Sequence, residues 1–344
     1  MATLSASYPT LLDLAKQSDY AGNVQGDIIE ILKDTNPILQ DMPFAECNNG
    51  TKHLTTTRSG IPQATWRRLY QGVQPQKGET TQVEDTCGML EAWSEIDAKL
   101  VELSNNPRQF RMNEAAAFIE GMNRQMATAV FYGNTDTDPE QFMGLGPRFD
   151  SLSAANGGQI VDAWSNGGTD LTSVWMVVWG PRTVHGLYPK GSKAGLSRED
   201  KGKTTKEIAA NATVDGGLYD VYREKFCWDT GLSVRDWRYV VRIANIDVSN
   251  LVAGSVDCLA LLRKGYWKLK QRQTPGGRAA IYAGSDFMEA LDAQCTPTLA
   301  TGTGTTSGNI RLMRSEAEGK EVMSYRGMPI RETDAIINTE TRVT

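Results

Sequence analysis

Asn106-Pro-Arg-Gln-Phe-Arg-Met-Asn-Glu-Ala-Ala-Ala-Phe-Ile-Glu-Gly-Met-Asn-Arg-Gln-Met-Ala-Thr-Ala-Val-Phe-Tyr132-Gly133 is the stretch around which the rest of this sequence arranges itself. Asn106 carries a capping side chain, Pro107 suits a first helical position that needs no N–H, and Gln109 stands three residues after the cap. Gly133 supplies a C-terminal stop. The spacing predicts one helix to Tyr132, about 39 Å long at 1.5 Å per residue. Phe118, Met122 and Met126 recur every fourth residue and are joined by Ala129 and Val130 in one buried stripe. Methionines in such a stripe fill core space rather than hold a cofactor.

Before this helix, residues 51–103 read as extended chain. A Thr-rich run His53-Leu-Thr-Thr-Thr-Arg58 and a mixed run Ala64-Thr-Trp-Arg-Arg-Leu-Tyr70 lead out, and Leu90, Ala92, Ser94, Ile96 and Ala98 return in alternation with Glu91, Trp93, Glu95 and Asp97. Between them lies a polar tip, Gln71-Gly-Val-Gln-Pro-Gln-Lys-Gly-Glu-Thr80. The reading is a long hairpin, with Trp66, Arg67, Arg68 and Tyr70 on one limb and Glu79, Glu84 and Asp85 on the other. A two-stranded ribbon buries too little to stand alone, so these seven residues are the candidate contacts with a partner subunit.

Residues 1–50 hold one interrupted helical pattern, Leu11 to Leu32, broken at Gly22 and Gly26, and read as an arm. After the central helix, Val174-Trp-Met-Val-Val-Trp179 is continuously apolar and predicts a strand covered on both faces. Residues 186–217 read as polar loop, and the alternation around Tyr239, Val241 and Ile243 as a half-buried strand. Helices follow at 256–272 and 285–295 with a strand 279–283 between them. Beyond the Thr/Gly-rich connector 296–309 come short strands at Ile310–Met313, Lys320–Tyr325 and Met328–Glu332. The class is α+β.

Composition removes most chemistry. The 344 residues carry 36 Lys and Arg against 41 Asp and Glu, a net charge of -5, which argues against tight coating of nucleic acid. No run approaches the roughly 20 apolar residues that span a bilayer, and the start Met1-Ala-Thr-Leu-Ser lacks the regions of a signal peptide, so the expectation is a cytosolic site of synthesis with no membrane partner. Cys47, Cys87, Cys227, Cys258 and Cys295 are scattered without a CxxC pair and read as buried free thiols. His53 and His185 are the only histidines, and neither has the neighbours of a catalytic triad. Gly202-Lys203-Thr204 lacks the glycine that a phosphate loop needs at position 197, where Ser stands. The expectation is a chain with no catalytic residue, no cofactor and no metal, built to engage neighbours.

The order of these parts resembles the major capsid proteins of tailed bacteriophages, with the Hong Kong 97 type of fold, and among them the gene-product-seven-like capsid proteins of some podoviruses. The resemblance rests on Trp93-Ser-Glu-Ile-Asp97, Gly144-Leu-Gly-Pro-Arg-Phe149, Val178-Trp-Gly-Pro-Arg-Thr-Val184 with Tyr188-Pro-Lys-Gly-Ser192, Val241-Arg-Ile-Ala-Asn-Ile-Asp247 and Tyr325-Arg-Gly-Met-Pro-Ile330 before Asp334. It implies an N-terminal arm at 1–50, an E-loop hairpin with the start of the P-domain at 51–103, and the P-domain spine helix with its following loop at 104–150. An A-domain at 151–308 and a return to the P-domain at 309–344 complete it. It further implies a virion subunit, assembled in the bacterial cytoplasm, that meets copies of itself in hexamers and pentamers. Portal, scaffold and decoration proteins are the implied further partners, and packaged double-stranded DNA is touched only weakly. An encapsulin-like cellular shell protein and an unrecognised enzyme are the alternatives.

Overall fold

The central helix forms as Pro107–Tyr132, and the Asn106 side-chain oxygen accepts from the Gln109 N–H at 3.2 Å, the cap that the sequence predicts. Met122 and Met126 are buried at 3% and 2% exposure, and Val130 is fully buried. The structure is a computed structural model and describes residues 9–10, 36–164, 168–208, 216–270, 272, 275–295, 312–317 and 320–344. The predicted helix in the arm and the Thr/Gly-rich connector lie outside the described residues.

In chain order the elements open with helix α1 (Ile38–Asp41) and strands β1 (Phe44–Glu46), β2 (Lys52–Gly60) and β3 (Glu79–Asp97). Helices α2 (Ala98–Leu103) and α3 (Pro107–Tyr132) follow, then strands β4 (Ile160–Asp162), β5 (Leu171–Trp179), β6 (Val184–Tyr188), β7 (Ser197–Ile208), β8 (Gly217–Val234) and β9 (Val240–Asp247). Helices α4 (Val248–Val252) and α5 (Cys258–Lys268), strand β10 (Arg278–Ala283) and helix α6 (Ser285–Cys295) lead to strands β11 (Leu312–Ala317), β12 (Lys320–Tyr325) and β13 (Met328–Glu332).

Contacts divide the chain into two compact units. One contains Met89–Met126 and Gly195–Asp229, and the other Thr35–Gly88, Ala127–Ala194 and Thr230–Thr344. In the second unit β5 lies between β10 and β9, antiparallel to both, and β10 continues in parallel to β13, which pairs with β12 and then β11. Every residue of β5 is buried, as the unbroken apolar run requires. Val174, Met176 and Val178 face a cluster with Leu261 and Leu262 of α5 and Phe287 and Leu291 of α6. Trp175 packs instead with Phe131 and Phe149, and Trp179 with Tyr282, at ring separations of 6.2 to 6.4 Å. Burying each such side chain contributes about 1.5–3 kcal/mol, so this strand with its two covers is the main source of stability in the unit.

The other unit is held differently. Ile96, Leu100, Val101 and Phe110 form one small apolar cluster, and Ala115, Met122 and Phe226 a second. Around them runs a lattice of charge. Glu224 is 3% exposed and takes Arg111 and Arg198, each at 2.6 Å, while Arg111 also reaches Asp200 at 2.7 Å. Glu95 binds Lys206 and, at 2.8 Å, Arg223; Glu91 binds Lys225 at 2.7 Å.

That lattice corrects one expectation. Within 186–217 the described residues are not polar loop throughout: β6 reaches Tyr188 and Ser197–Ile208 is strand β7, which pairs with β8 in a ladder from Ser197↔Cys227 to Ile208↔Gly217. Charged side chains along β7 hide the period-two signal because their partners are ionic rather than apolar. A second expectation is corrected at β9, which is buried at every position and not half-buried, because Arg242 finds an anionic partner inside. The end of the supposed extended stretch is also helical, as α2, with Asp97 accepting from the Lys99 N–H at 2.7 Å. The alternation from Leu90 to Ala98 holds, with Ser94, Ile96 and Ala98 buried.

Candidate functional site

β2 and β3 pair with His53 opposite Asp85, Leu54 opposite Glu84 and Gly60 opposite Glu79, and the ladder shifts register between Arg58 and Gly60. Beyond that point residues 61–78 leave the strands and are exposed throughout. Trp66 and Tyr70 are 100% exposed and Leu69 is 87% exposed. Tyr70 holds a φ of 66°, a left-handed conformation unusual for an aromatic residue. Local order comes from a turn, the Gln71 N–H to Arg68 C=O at 3.2 Å, and from the Gln63 N–H to the Gln76 side chain at 2.8 Å. Trp66, Arg67, Arg68 and Tyr70 thus belong to the connection rather than to a strand limb.

The seven residues singled out from sequence do not all share this setting. Glu79 sits at the mouth of the hairpin opposite Gly60, and Glu84 forms a half-exposed ion pair with Lys52 at 2.6 Å. Asp85 is 4% exposed, and its Oδ1 receives the Arg148 guanidinium at 2.8 Å. With Glu84 and Asp85 engaged lower down, Arg58, Arg67, Arg68 and Lys77 outnumber Glu79 among the exposed aromatic and aliphatic side chains of the tip.

Arg148 explains the string Gly144–Phe149. Its guanidinium also donates to the carbonyls of Gly144, Met143 and Leu232 at 3.1 to 3.2 Å, so one side chain ties the hairpin root to two other segments. The glycine before it is required by a close approach: a Cβ at Gly144 would stand 2.6 Å from the Ala129 carbonyl oxygen. This closeness lets the Leu145 and Gly146 N–H groups satisfy the Val130 and Phe131 carbonyls at 2.9 and 2.6 Å, at the end of α3 where no intrahelical donor remains.

At the same root the chain's two histidines meet, with ring centroids 5.7 Å apart and planes near perpendicular. His53 comes from β2 and the fully buried His185 from β6. Neither ring nitrogen of His185 has a hydrogen-bond partner, and Ser233 Oγ, Thr55 Oγ1, Arg235 Nε and Asp85 Oδ2 are likewise unpaired. Burial, then the nearby Arg235 and His53, push the His185 ionisation down to about 4 against a smaller opposing effect of Asp85. Cys47 and Cys87 lie close by with sulfurs 3.4 Å apart. Cys47 and Cys258 are buried thiols as expected, whereas Cys87 and Cys227 are only partly buried. Among the described residues no cluster of His, Cys, Asp and Glu is disposed to hold a metal ion.

Sequence spacing could not find this root: β2, β3, β6 and β8 bring its members together from distant positions. The hairpin itself was legible in the sequence, with the correction that its exposed connection begins at residue 61 and takes in the Trp, Arg and Tyr run expected on a strand limb.

Comparison with known proteins places this geometry. No curated protein matches the sequence. The chain is similar to a chain in the cryo-EM structure of bacteriophage Epsilon15, at 36% identity and a TM-score of 0.76, covering 100% of both chains. Fainter likenesses are to the SrpI encapsulin complex from Synechococcus elongatus PCC 7942 (10% identity, TM-score 0.44, 70% of this chain and 97% of that one) and to the capsid of the empty GTA particle (9%, 0.40, 71% and 99%). The family model for major capsid protein GP7 matches residues 19–344. With that match over nearly the whole chain, and a full-length relative at better than a third identity, this protein belongs to the major capsid protein GP7 family and is a subunit of a phage capsid shell.

Proposed function

We propose that the chain builds an icosahedral shell around double-stranded DNA by self-assembly, with its N-terminal arm and its β2–β3 hairpin gripping neighbouring copies in hexamers and pentamers. The observation that carries this reading is the hairpin tip, residues 61–78, which presents Trp66 and Tyr70 at 100% exposure beside Arg67 and Arg68. Tryptophan, tyrosine and arginine are the residue types that dominate interface energetics, and leaving them in water gains nothing for a monomer. The tip is basic on a chain of net charge -5, so another copy is a partner of complementary charge.

In this reading residues 1–50 are the arm, 51–103 the E-loop and start of the P-domain, and 104–150 the region of the spine helix α3. Residues 151–308 form the A-domain and 309–344 the return. Assembly takes place in the bacterial cytoplasm, with portal, scaffold and decoration proteins as accessory partners. An acidic wall holds packaged DNA weakly and lets it slide.

Charge reversal at the tip tests this. The double variant Arg67→Glu, Arg68→Glu is expected to lower particle yield about tenfold or more, the equivalent of roughly 1.4 kcal/mol for the two changes together. Circular dichroism and thermal melting of the unassembled subunit should stay unchanged, because both side chains are exposed. Particle yield equal to that of the unmodified chain would refute the role given to the hairpin.

A further inference from the structure

We propose that Cys47 and Cys87 form a redox modification site, two thiols that join into an intrachain disulfide at the root of the hairpin once the shell leaves a reducing cell. The inference goes beyond the assembly reading and does not depend on which surface the hairpin tip grips.

The two sulfurs stand 3.4 Å apart, in contact, from positions 40 residues apart in sequence. Backbone bonds hold both residues in place. The Cys47 N–H, just past β1, donates to the Tyr188 carbonyl at 2.9 Å, and the Cys87 N–H, within β3, donates to the Thr51 carbonyl at 3.1 Å. Gly231 of β8 makes the room for this arrangement: a Cβ there would lie 2.6 Å from the Thr86 carbonyl oxygen and 3.2 Å from Cys87 Sγ, so a larger residue would press on the sulfur that now rests against Cys47.

The environments differ in a way that orders the chemistry. Cys47 is 2% exposed and its thiol is held high chiefly by burial, whereas Cys87 is only partly buried. Cys87 is the sulfur that an oxidant reaches first. With a small-molecule disulfide RSSR as oxidant, the Cys87 thiolate attacks one sulfur, forms a mixed disulfide and releases one RSH. Cys47 gives up its proton to solvent and attacks the Cys87 sulfur, and the second thiolate leaves and is protonated. The sum is two protein thiols plus RSSR giving one protein disulfide plus two RSH. A cytosolic setting keeps such a pair reduced, while the surface of a released virion is an oxidising setting where disulfides persist. The covalent ring then encloses the whole of β2, the exposed tip and the first half of β3, so the two sides of the hairpin root cannot part.

The test uses the full-length folded chain held in oxidised glutathione, then denatured, alkylated and digested for mass spectrometry. The expected result is a Cys47 peptide joined to a Cys87 peptide, with a mass about 2 Da below the sum of the two reduced peptides for the two lost hydrogens. Dithiothreitol should reverse both. Cys47→Ser and Cys87→Ser should each remove the joined peptide, and the oxidised chain should unfold at a higher denaturant midpoint than the reduced chain, with no such difference in either variant. Partly buried Cys227 reports that oxidant reached the protein. Recovery of Cys47 and Cys87 as separate alkylated thiols while Cys227 carries glutathione would overturn the proposal. So would Cys47 bridged to a second chain, or Cys87 left as a stable glutathione adduct.

Discussion

Glu340→Ala is expected to destabilise the subunit by about 3–5 kcal/mol, the cost typical of leaving a buried charge without its partner. Glu340 and Arg242 are 6% and 5% exposed and are joined at 2.7 Å. The same carboxylate accepts from Ser173 Oγ and, through its other oxygen, from the Tyr132 hydroxyl at 2.5 Å. Arg242 in turn donates to the Phe149 carbonyl at 2.8 Å and lies over the Trp175 ring at 5.0 Å. One carboxylate near the C-terminus thus gathers β5, β9, the end of α3 and the turn at Phe149. It also holds the Tyr132 hydroxyl well above its ordinary ionisation range, through burial first and the adjacent negative charge second. Without it, Arg242 keeps its charge in a site that water does not reach. Urea unfolding of the unassembled subunit measures the effect. Replacing both partners by apolar residues, as in Glu340→Leu with Arg242→Met, should recover much of the loss, since no charge is then stranded. A single Glu340→Ala variant with an unchanged midpoint would show that the ion pair holds nothing together.

Acidification supplies the second large effect. His185 is neutral in the folded chain down to a pH of about 4, whereas in the unfolded chain it protonates near its ordinary 6.5. A depressed folded value means that stability is complete above pH 6.5 and is lost as pH falls, because only the unfolded state takes up the proton in that window. The difference is worth roughly 3 kcal/mol by the time pH 4 is reached. His53, also lowered by burial first and then by Arg235, adds in the same direction. The groups facing the pair are Arg235, which opposes protonation, and Asp85, which favours it while its Oδ1 is held by Arg148. Unfolding midpoints between pH 7 and pH 4.5 should therefore fall more steeply for the unmodified chain than for His185→Gln, which has no imidazole to protonate. Equal slopes would remove His185 from the account. Because both rings sit where the hairpin leaves the unit, hydrogen exchange in β2 and β3 should rise with acid before exchange in β5 does.

Much of the fold was legible from local signals. The cap at Asn106, the stop at Gly133, the unbroken apolar run of β5 and the alternation from Leu90 to Ala98 each express a period or a terminus that neighbouring residues decide. The failures have a common cause. β7 escapes the sequence reading because its residues are Arg, Glu, Asp and Lys on both faces, and the signal for a strand is apolar periodicity; what makes it a strand is its ladder with β8, with charge partners such as Glu224, Asp220 and Glu102 elsewhere in the chain. β9 was read as half-exposed because Arg242 looks like a solvent residue until Glu340, 98 positions away, is brought beside it.

The hairpin and its polar turn were readable, but the sequence places Trp66, Arg67, Arg68 and Tyr70 on a strand limb, whereas β2 ends at Gly60 and all four lie in the exposed connection. The placement of Asp85 was not readable. It looked like one more acid on a solvated limb, and only the arrival of Arg148 from beyond α3 makes it an internal anchor.

The sequence by itself therefore determined the mixed class, the long helix, the buried central strand and a hairpin with little apolar content near its end, because each follows from interactions within a few residues. Only the tertiary structure decided the meeting of His53 with His185, Cys47 with Cys87 and Arg242 with Glu340. Those contacts join segments far apart along the chain, and a charge, a thiol or an imidazole acquires its chemistry from the group placed against it and from the exclusion of water, neither of which is written in its own neighbourhood of the sequence.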